Sequence, residues 1–249
     1  RPLFYLSESQ LERIKPFFPR SHGAPRVDDR RAVSGIIYVI KHGLQWQDAP
    51  GEYGPHKTLH NRFVRWSRLG VFNKIFIELA NEPLFDGSLV IDSTHLKAHR
   101  TAASLLKKGI LHVSSVEQKV AEFQTPYVCD GHRRPVLLLL TEGLVSEQGA
   151  AILQHPLPDN STFLADGGYD ATWLHEFLKA RGMTVCMPPR KTGNEAFPFD
   201  NTLYKQRHLI ENTFSRLKGW RRIVTRYDRY AHIFFSAICL AVTVILYLN

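Results

Sequence analysis

Two apolar runs of strand length in this chain each end on an aspartate: Ser88-Leu89-Val90-Ile91-Asp92 and Thr162-Phe163-Leu164-Ala165-Asp166. Short apolar runs bounded by turn residues read as buried strands. Pro135–Leu140 and Met183–Met187 are two more, and an amphipathic helical stretch from Ala171 to Ala180, closed by Gly182, lies before the last of them. Strands interleaved with helices predict an α/β domain, here from residue 86 to 249. Gly167 and Gly168 stop the second run and let the backbone approach a neighbouring group closely. Ligands of open α/β sheets bind beyond the strand ends. Two carboxylates gathered there repel each other, and a divalent cation relieves that repulsion. Their hard oxygens favour Mg²⁺ or Mn²⁺. Either aspartate alone reads equally well as a turn or cap residue.

Residues 1–85 carry a different pattern. Ser7 followed three residues later by Gln10 has the form of a capping box, and Pro16 and Pro19 stop the helix it opens. A second helix starts near Asp28-Asp29, carries Ala32, Val33, Ile36, Ile37 and Ile40 at helical spacing, and ends around Gly43. A third opens near Thr58 and runs through Leu59, Phe63 and Trp66 to Gly70; a short fourth includes Phe72, Ile75, Phe76 and Leu79. The boundary between the two regions falls near Pro83–Gly87. Trp46 and Trp66 are expected in the core.

Charge narrows the partners. Lys and Arg total 32 against 23 Asp and Glu, a formal charge of +9, which favours a polyanion. Between His56 and Lys74 stand five basic residues and no acid. Lys57, Arg62 and Arg65 are the candidates there for DNA contact, either from a recognition-type helix or from one that only holds phosphates. The uncharged run Ile233–Leu248 spans 16 residues, below the roughly 20 that cross a bilayer, and is expected to be a core helix. Cys129, Cys186 and Cys239 are isolated and odd in number, so no disulfide framework or cysteine zinc site is legible and a reducing, cytoplasmic setting is expected.

A basic helix supplies the third acidic group. Tyr204, Arg207, Glu211 and Lys218 lie at offsets of 0, 3, 7 and 14, on one helical face. From Asn201 to Tyr230 there are eight Lys or Arg and two acids, so Glu211 is an outlier in a cationic stretch. A solvated helix laced with ion pairs is the plain alternative. A carboxylate among cations stays ionised and suits metal ligation beside a phosphate.

These three blocks, Val90–His95, Leu164–Asp170 and the Tyr204/Arg207/Glu211/Lys218 helix, resemble the catalytic blocks of DDE transposases. More closely, the chain resembles the bacterial insertion-sequence four/five superfamily, whose signature Y-x₂-R-x₃-E-x₆-K it matches at all four positions. Similarity extends to Arg26–Arg31, Trp46–Pro50, Tyr53–Thr58, Lys97–Ala102 and Gly219–Ile223. The resemblance implies an α/β ribonuclease-H-like catalytic domain preceded by a small helical, helix-turn-helix-like DNA-binding domain. It implies a transposase that binds the terminal inverted repeats of its element and catalyses metal-dependent strand cleavage and strand transfer. Asp92, Asp166 and Glu211 would be the catalytic, metal-binding triad for Mg²⁺ or Mn²⁺, two ions in all. Tyr204, Arg207 and Lys218 would contact DNA phosphates. The implied partners are double-stranded DNA, both element ends and target, and further copies of the chain as a homodimer or higher multimer; no membrane is involved, and the setting is the bacterial cytoplasm at the nucleoid.

One stretch departs from the family. Where relatives carry a Gly/Lys-rich block that forms a strand beside the first catalytic one, residues 110–126 read Ile-Leu-His-Val-Ser-Ser-Val-Glu-Gln-Lys-Val-Ala-Glu-Phe-Gln-Thr-Pro, and the pattern resumes at Cys129-Asp130-Gly131. If the sheet lacks that partner strand, Asp92 is misplaced. The alternative is then a catalytically impaired relative that retains only DNA binding, since a displacement of about 1 Å costs roughly 100-fold in rate.

Overall fold

The structure, a computed structural model, describes residues 2–20, 28–81, 87–98, 122–131, 134–140, 157–189 and 199–248. In chain order its helices are α1 (Glu8–Ile14), α2 (Asp29–His42), α3 (His56–Arg68), α4 (Val71–Ala80), α5 (Thr172–Ala180), α6 (Asn201–Tyr204), α7 (His208–Lys218), α8 (Arg221–Val224) and α9 (Ala231–Leu246). Its strands are β1 (Ser88–Ala98), β2 (Glu122–Asp130), β3 (Pro135–Leu138), β4 (Thr162–Leu164), β5 (Thr184–Cys186) and β6 (Thr225–Arg226). They form two compact units: one draws its described residues from 1–79, 97–121 and 216–249, the other from 80–96 and 122–215.

The first unit is built on α2 and α9. The capping box at Ser7 forms, with Gln10 N–H donating to Ser7 Oγ and Ser7 N–H donating to Gln10 Oε1, and it starts α1 as the sequence predicts. Asp28 caps α2 through the amides of Arg30 and Arg31, and Gly43, in the left-handed region at φ 66°, closes it. Ala32, Val33, Ile36, Ile37 and Ile40 are all buried. Gly35 is required where α2 meets Tyr53, because a Cβ there would stand 2.6 Å from Tyr53 Cβ. α9, the apolar run near the end of the chain, packs against α2 and α3 and is buried along nearly its whole length. It is therefore the core helix expected; no helix among the described residues is long and apolar enough to cross a membrane. Gln10 and Arg13 donate to the carbonyls of Leu248 and Tyr247, and Arg216 Nη2 donates to Ile245 O at 2.9 Å, so both ends of the chain are tied into this unit. Lys97 and Ala98 pair in parallel with Thr225 and Arg226 of β6.

Residues 216–249 thus pack with the N-terminal helices, although the strand pattern had grouped them with the α/β domain. The reason is hydrophobic: α9 is apolar on every side and is buried only where helices surround it.

The second unit is an α/β layer. Its strands run in the order β3-β2-β1-β4-β5; β1, β4 and β5 pair in parallel, while β2 and β3 are antiparallel with a bulge between Val128 and Cys129. Leu89, Ile91, Val128, Phe163 and Ala165 from the sheet meet Leu174 and Leu178 of α5 in one apolar core. Cys129, Cys186 and Cys239 are all buried, and none forms a disulfide. Residues 122–126 of the departing stretch open β2, which stands next to β1 in the sheet; residues 110–121 lie outside the described residues.

Candidate active site

The β1–β4 ladder positions the two aspartates. Its last pair is Val90 with Leu164, so Asp92 and Asp166, two residues further along each strand, stand level beyond it. Asp92 is not a strand-end residue as its sequence suggests: β1 continues to Ala98. The pairing with β4 ends there because the chain turns after Ala165, where Asp166 accepts from Gly168 N–H at 2.8 Å and starts a short 3₁₀ turn. Gly167 has no room for a side chain without crowding, since a Cβ would lie 3.1 Å from Pro188 O. Asp92 accepts from its neighbour's amide, Ser93 N–H, at 2.8 Å.

The third carboxylate arrives on the chain from α6 to α7. Asp200 caps α6 through the amides of Thr202 and Leu203. Tyr204 ends α6, a turn of 3₁₀ helix carries Arg207, and Glu211 follows in the first turn of α7. Phe214 anchors α7 by packing its ring 5.2 Å from that of Tyr127 in β2.

Arg207 is the hub of the site. Its Nη2 donates to Asp92 Oδ2 at 3.0 Å and lies 3.8 Å from Asp166 Oδ2, while Nη1 lies 3.6 Å from Glu211 Oε1. Nη1 also donates to the Tyr204 hydroxyl at 3.3 Å, and the buried Nε has no hydrogen-bond partner. Asp92 is buried, Asp166 is partly open and Glu211 is exposed. Burial pushes the Asp92 carboxyl above the usual carboxylate range; the Arg207 charge pulls the other way without prevailing, and the Asp166 charge adds to the rise. For Arg207 burial acts downward, but Asp92, Tyr204 and Asp166 outweigh it and raise the group. Tyr169 is raised by burial and its hydroxyl bonds Ser93, so it links the two aspartate-bearing segments. Behind it, buried His175 Nε2 meets Asp170 Oδ1 at 2.8 Å and fixes the turn after Asp166.

The structure therefore brings Asp92, Asp166, Glu211, Arg207 and Tyr204 together. The donor set suits a divalent cation: three carboxylates already converge on one positive group, and the buried member lacks full charge compensation. They converge on the guanidinium rather than on one another, and no three acidic, histidine or cysteine groups among the described residues are gathered closely enough to hold a metal ion in this arrangement. Arg207 thus faces inward, where the sequence placed it on phosphates. Lys218 is exposed at the end of α7, and Lys57 and Arg65 are exposed on α3. Arg62 differs from these: it is 8% exposed, with Nη1 2.8 Å from Asp29 Oδ1, so it locks α3 to α2. Apolar spacing hid this, because position 62 sits beside Phe63 and Trp66 on the inner face of α3. Sequence reasoning also missed Tyr169, Ser93 and the Asp170–His175 pair; the only signal was the place of Tyr169 and Asp170 directly after the Asp166-Gly-Gly turn.

The chain is similar to known transposases. Residues 6–76 match the family described as "Putative transposase of IS4/5 family", and residues 83–246 match the family described as "Transposase DDE domain". Protein y4sN of Sinorhizobium fredii, an uncharacterized protein, is 32% identical over 101 residues, 39% of this chain and 80% of that protein. A "Putative transposase for insertion sequence element IS6501" of Brucella ovis is 34% identical over 83 residues, 33% of this chain and 64% of that protein. Among solved structures, the piggyBac transposase in a synaptic complex with hairpin DNA superposes with a TM-score of 0.54 at 7% identity, covering 96% of this chain and 70% of that one, a likeness of fold. The chain belongs to the DDE transposases of the IS4/5 family.

Proposed function

We propose that this transposase binds the terminal inverted repeats of its element and cuts and rejoins DNA strands there, with Asp92, Asp166 and Glu211 as the catalytic carboxylates. The observation that carries the reading is their convergence on the Arg207 guanidinium from three separate segments of the chain. Such a set would hold Mg²⁺ or Mn²⁺, two ions in this reading, which supply activation of a water or 3′-hydroxyl and charge stabilisation of the leaving oxygen. A mixed sheet with a parallel centre, an antiparallel hairpin on one side and carboxylates on two adjacent central strands supports a ribonuclease-H-like domain.

The chain's own residues do the rest. Asp92 is the most buried of the three, and Glu211, the most exposed, meets the incoming strand in this reading. Arg207 holds the three carboxylates in place through Nη1 and Nη2. Tyr204 steadies that guanidinium, and Lys218, two turns beyond Glu211, lies along the DNA path. In this division the helical unit reads the ends through Lys57 and Arg65, and the α/β unit does the chemistry. Two ends must be joined, so a homodimer or larger multimer on DNA is expected. The strand β2 beside β1 supports an intact site over an impaired, binding-only relative.

The test is cleavage of labelled DNA carrying the element's end, with Mg²⁺ or Mn²⁺, by wild type and by Asp92→Ala. Metal-dependent cuts at the end that vanish in the variant are expected. End binding without cutting by the wild type would overturn the catalytic reading.

A further inference from the structure

The helical unit holds a hollow of about 670 Å³ that the carboxylate site does not use. Trp46 forms its floor, His56, Lys57 and His60 of α3 form one wall, and Arg222 and Tyr227, from the segment after α7, form the other. Among the described residues no carboxylate lines it. Arg222 is built in: it donates to Leu44 O at 2.9 Å, is held by Asp228 at 3.2 Å and lies 5.3 Å over the Trp46 ring. The His60 ring lies 5.3 Å from Trp46. Burial lowers the His60 imidazole below its ordinary value, and the Arg222 charge lowers it further, so at neutral pH it presents an uncharged ring. Tyr227 is 41% exposed. Pro55 leaves α3 with no capping side chain, so the helix start adds amide donors beside Lys57.

Fixed aromatic surfaces, excess positive charge and a concave shape suit one planar, anionic unit. A duplex is read by a convex helix entering a groove; a hollow of this size takes a single nucleotide, stacked on rings and held by its phosphate. We propose that this hollow binds one unstacked nucleotide of a DNA end, its base against His60 and Tyr227 and its phosphate at Lys57 and the start of α3. The segment after the catalytic helix thereby becomes part of the end-reading surface. This rests on the DNA-end-binding reading given above and adds a subsite to it.

The test uses the full chain and two labelled probes, a blunt duplex and the same duplex with a short single-stranded thymidine overhang. The overhang is expected to bind about tenfold tighter, within the range that base–aromatic stacking supplies. Tyr227→Ala and His60→Ala, both at exposed positions, should each abolish that preference and leave blunt-end affinity unchanged. In the wild type, 5-iodouracil placed in the overhang should cross-link to a peptide containing Trp46, His60 or Tyr227, a result independent of how the variants fold. Equal binding of both probes, a preference that survives in both variants, or cross-links confined to other peptides would overturn the subsite while leaving DNA-end binding intact. Binding of neither probe would overturn both.

Discussion

Replacing Arg207 with alanine removes the positive group on which the three carboxylates converge. At an effective dielectric of about 20, the 3.0 Å pair between Arg207 and Asp92 corresponds to roughly 5 kcal/mol of gross attraction. Desolvation offsets much of that in the intact pair, yet stripping one partner from a nearly buried pair leaves an uncompensated charge and costs about 3–5 kcal/mol. Asp166 and Glu211, at 3.8 and 3.6 Å and more open to water, add little. A net loss of about 3 kcal/mol is expected, which for a unit near 100 residues lowers Tm by roughly 12 °C or more. Arg207→Lys should recover part of it. The assay is calorimetry of both proteins in metal-free buffer and again in Mg²⁺. Because a cation binding only the folded state stabilises it, and in the variant no guanidinium has to be displaced, the Mg²⁺-dependent rise in Tm should be larger for Arg207→Ala than for wild type. Melting within about 1 °C of wild type, with an equal response to Mg²⁺, would refute the idea that Arg207 holds the carboxylates together.

Three further outcomes are expected. Burial raises Asp92 above its ordinary value of 3.8, so its contribution to stability is full below that pH and is lost as pH rises through the elevated folded value; urea unfolding across an acid pH series should show this slope in wild type and not in Asp92→Asn. Arg62→Ala should cost about 1.5–3 kcal/mol of stability, seen in urea unfolding, because it removes a buried guanidinium that pairs with half-buried Asp29 and lies over the Trp66 ring, whereas Lys57→Ala should leave stability unchanged and reduce the salt slope of DNA binding by about one phosphate's worth, close to 0.9. Gly35→Ala should destabilise the helical unit by about 1–3 kcal/mol, measured by thermal melting, through the clash with Tyr53.

The elements themselves were legible because local chemistry decides them. The Ser7 capping box, the Asp28 start and Gly43 stop of α2, and the strand run at 162–166 followed by Gly167-Gly168 all rest on side chains acting within a few residues of themselves. The candidate carboxylates were legible for a related reason: Asp92 and Asp166 end apolar runs and Glu211 stands alone in a basic stretch, although Tyr204, Arg207 and Glu211, which their spacing puts on one helical face, lie on α6, a 3₁₀ turn and α7 in the structure.

Other features depend on partners far away in sequence. Arg62 and Arg65 have the same chemistry and lie three residues apart, but only packing against α2 buries the first on Asp29 and leaves the second exposed. Arg207 reads as a phosphate ligand in a basic helix, yet the register of β1 on β4 places two carboxylates within its reach. The apolar run of α9 announces burial but not against what, and it joins the N-terminal helices. The sequence alone marked the capped helices, the apolar strand runs and the charged residues, because those properties follow from backbone preference and side-chain type, but it marked neither the run of β1 to Ala98 nor the start of β2. Only the tertiary structure decided which charges meet, because ion pairing and burial depend on distances that chain order does not set.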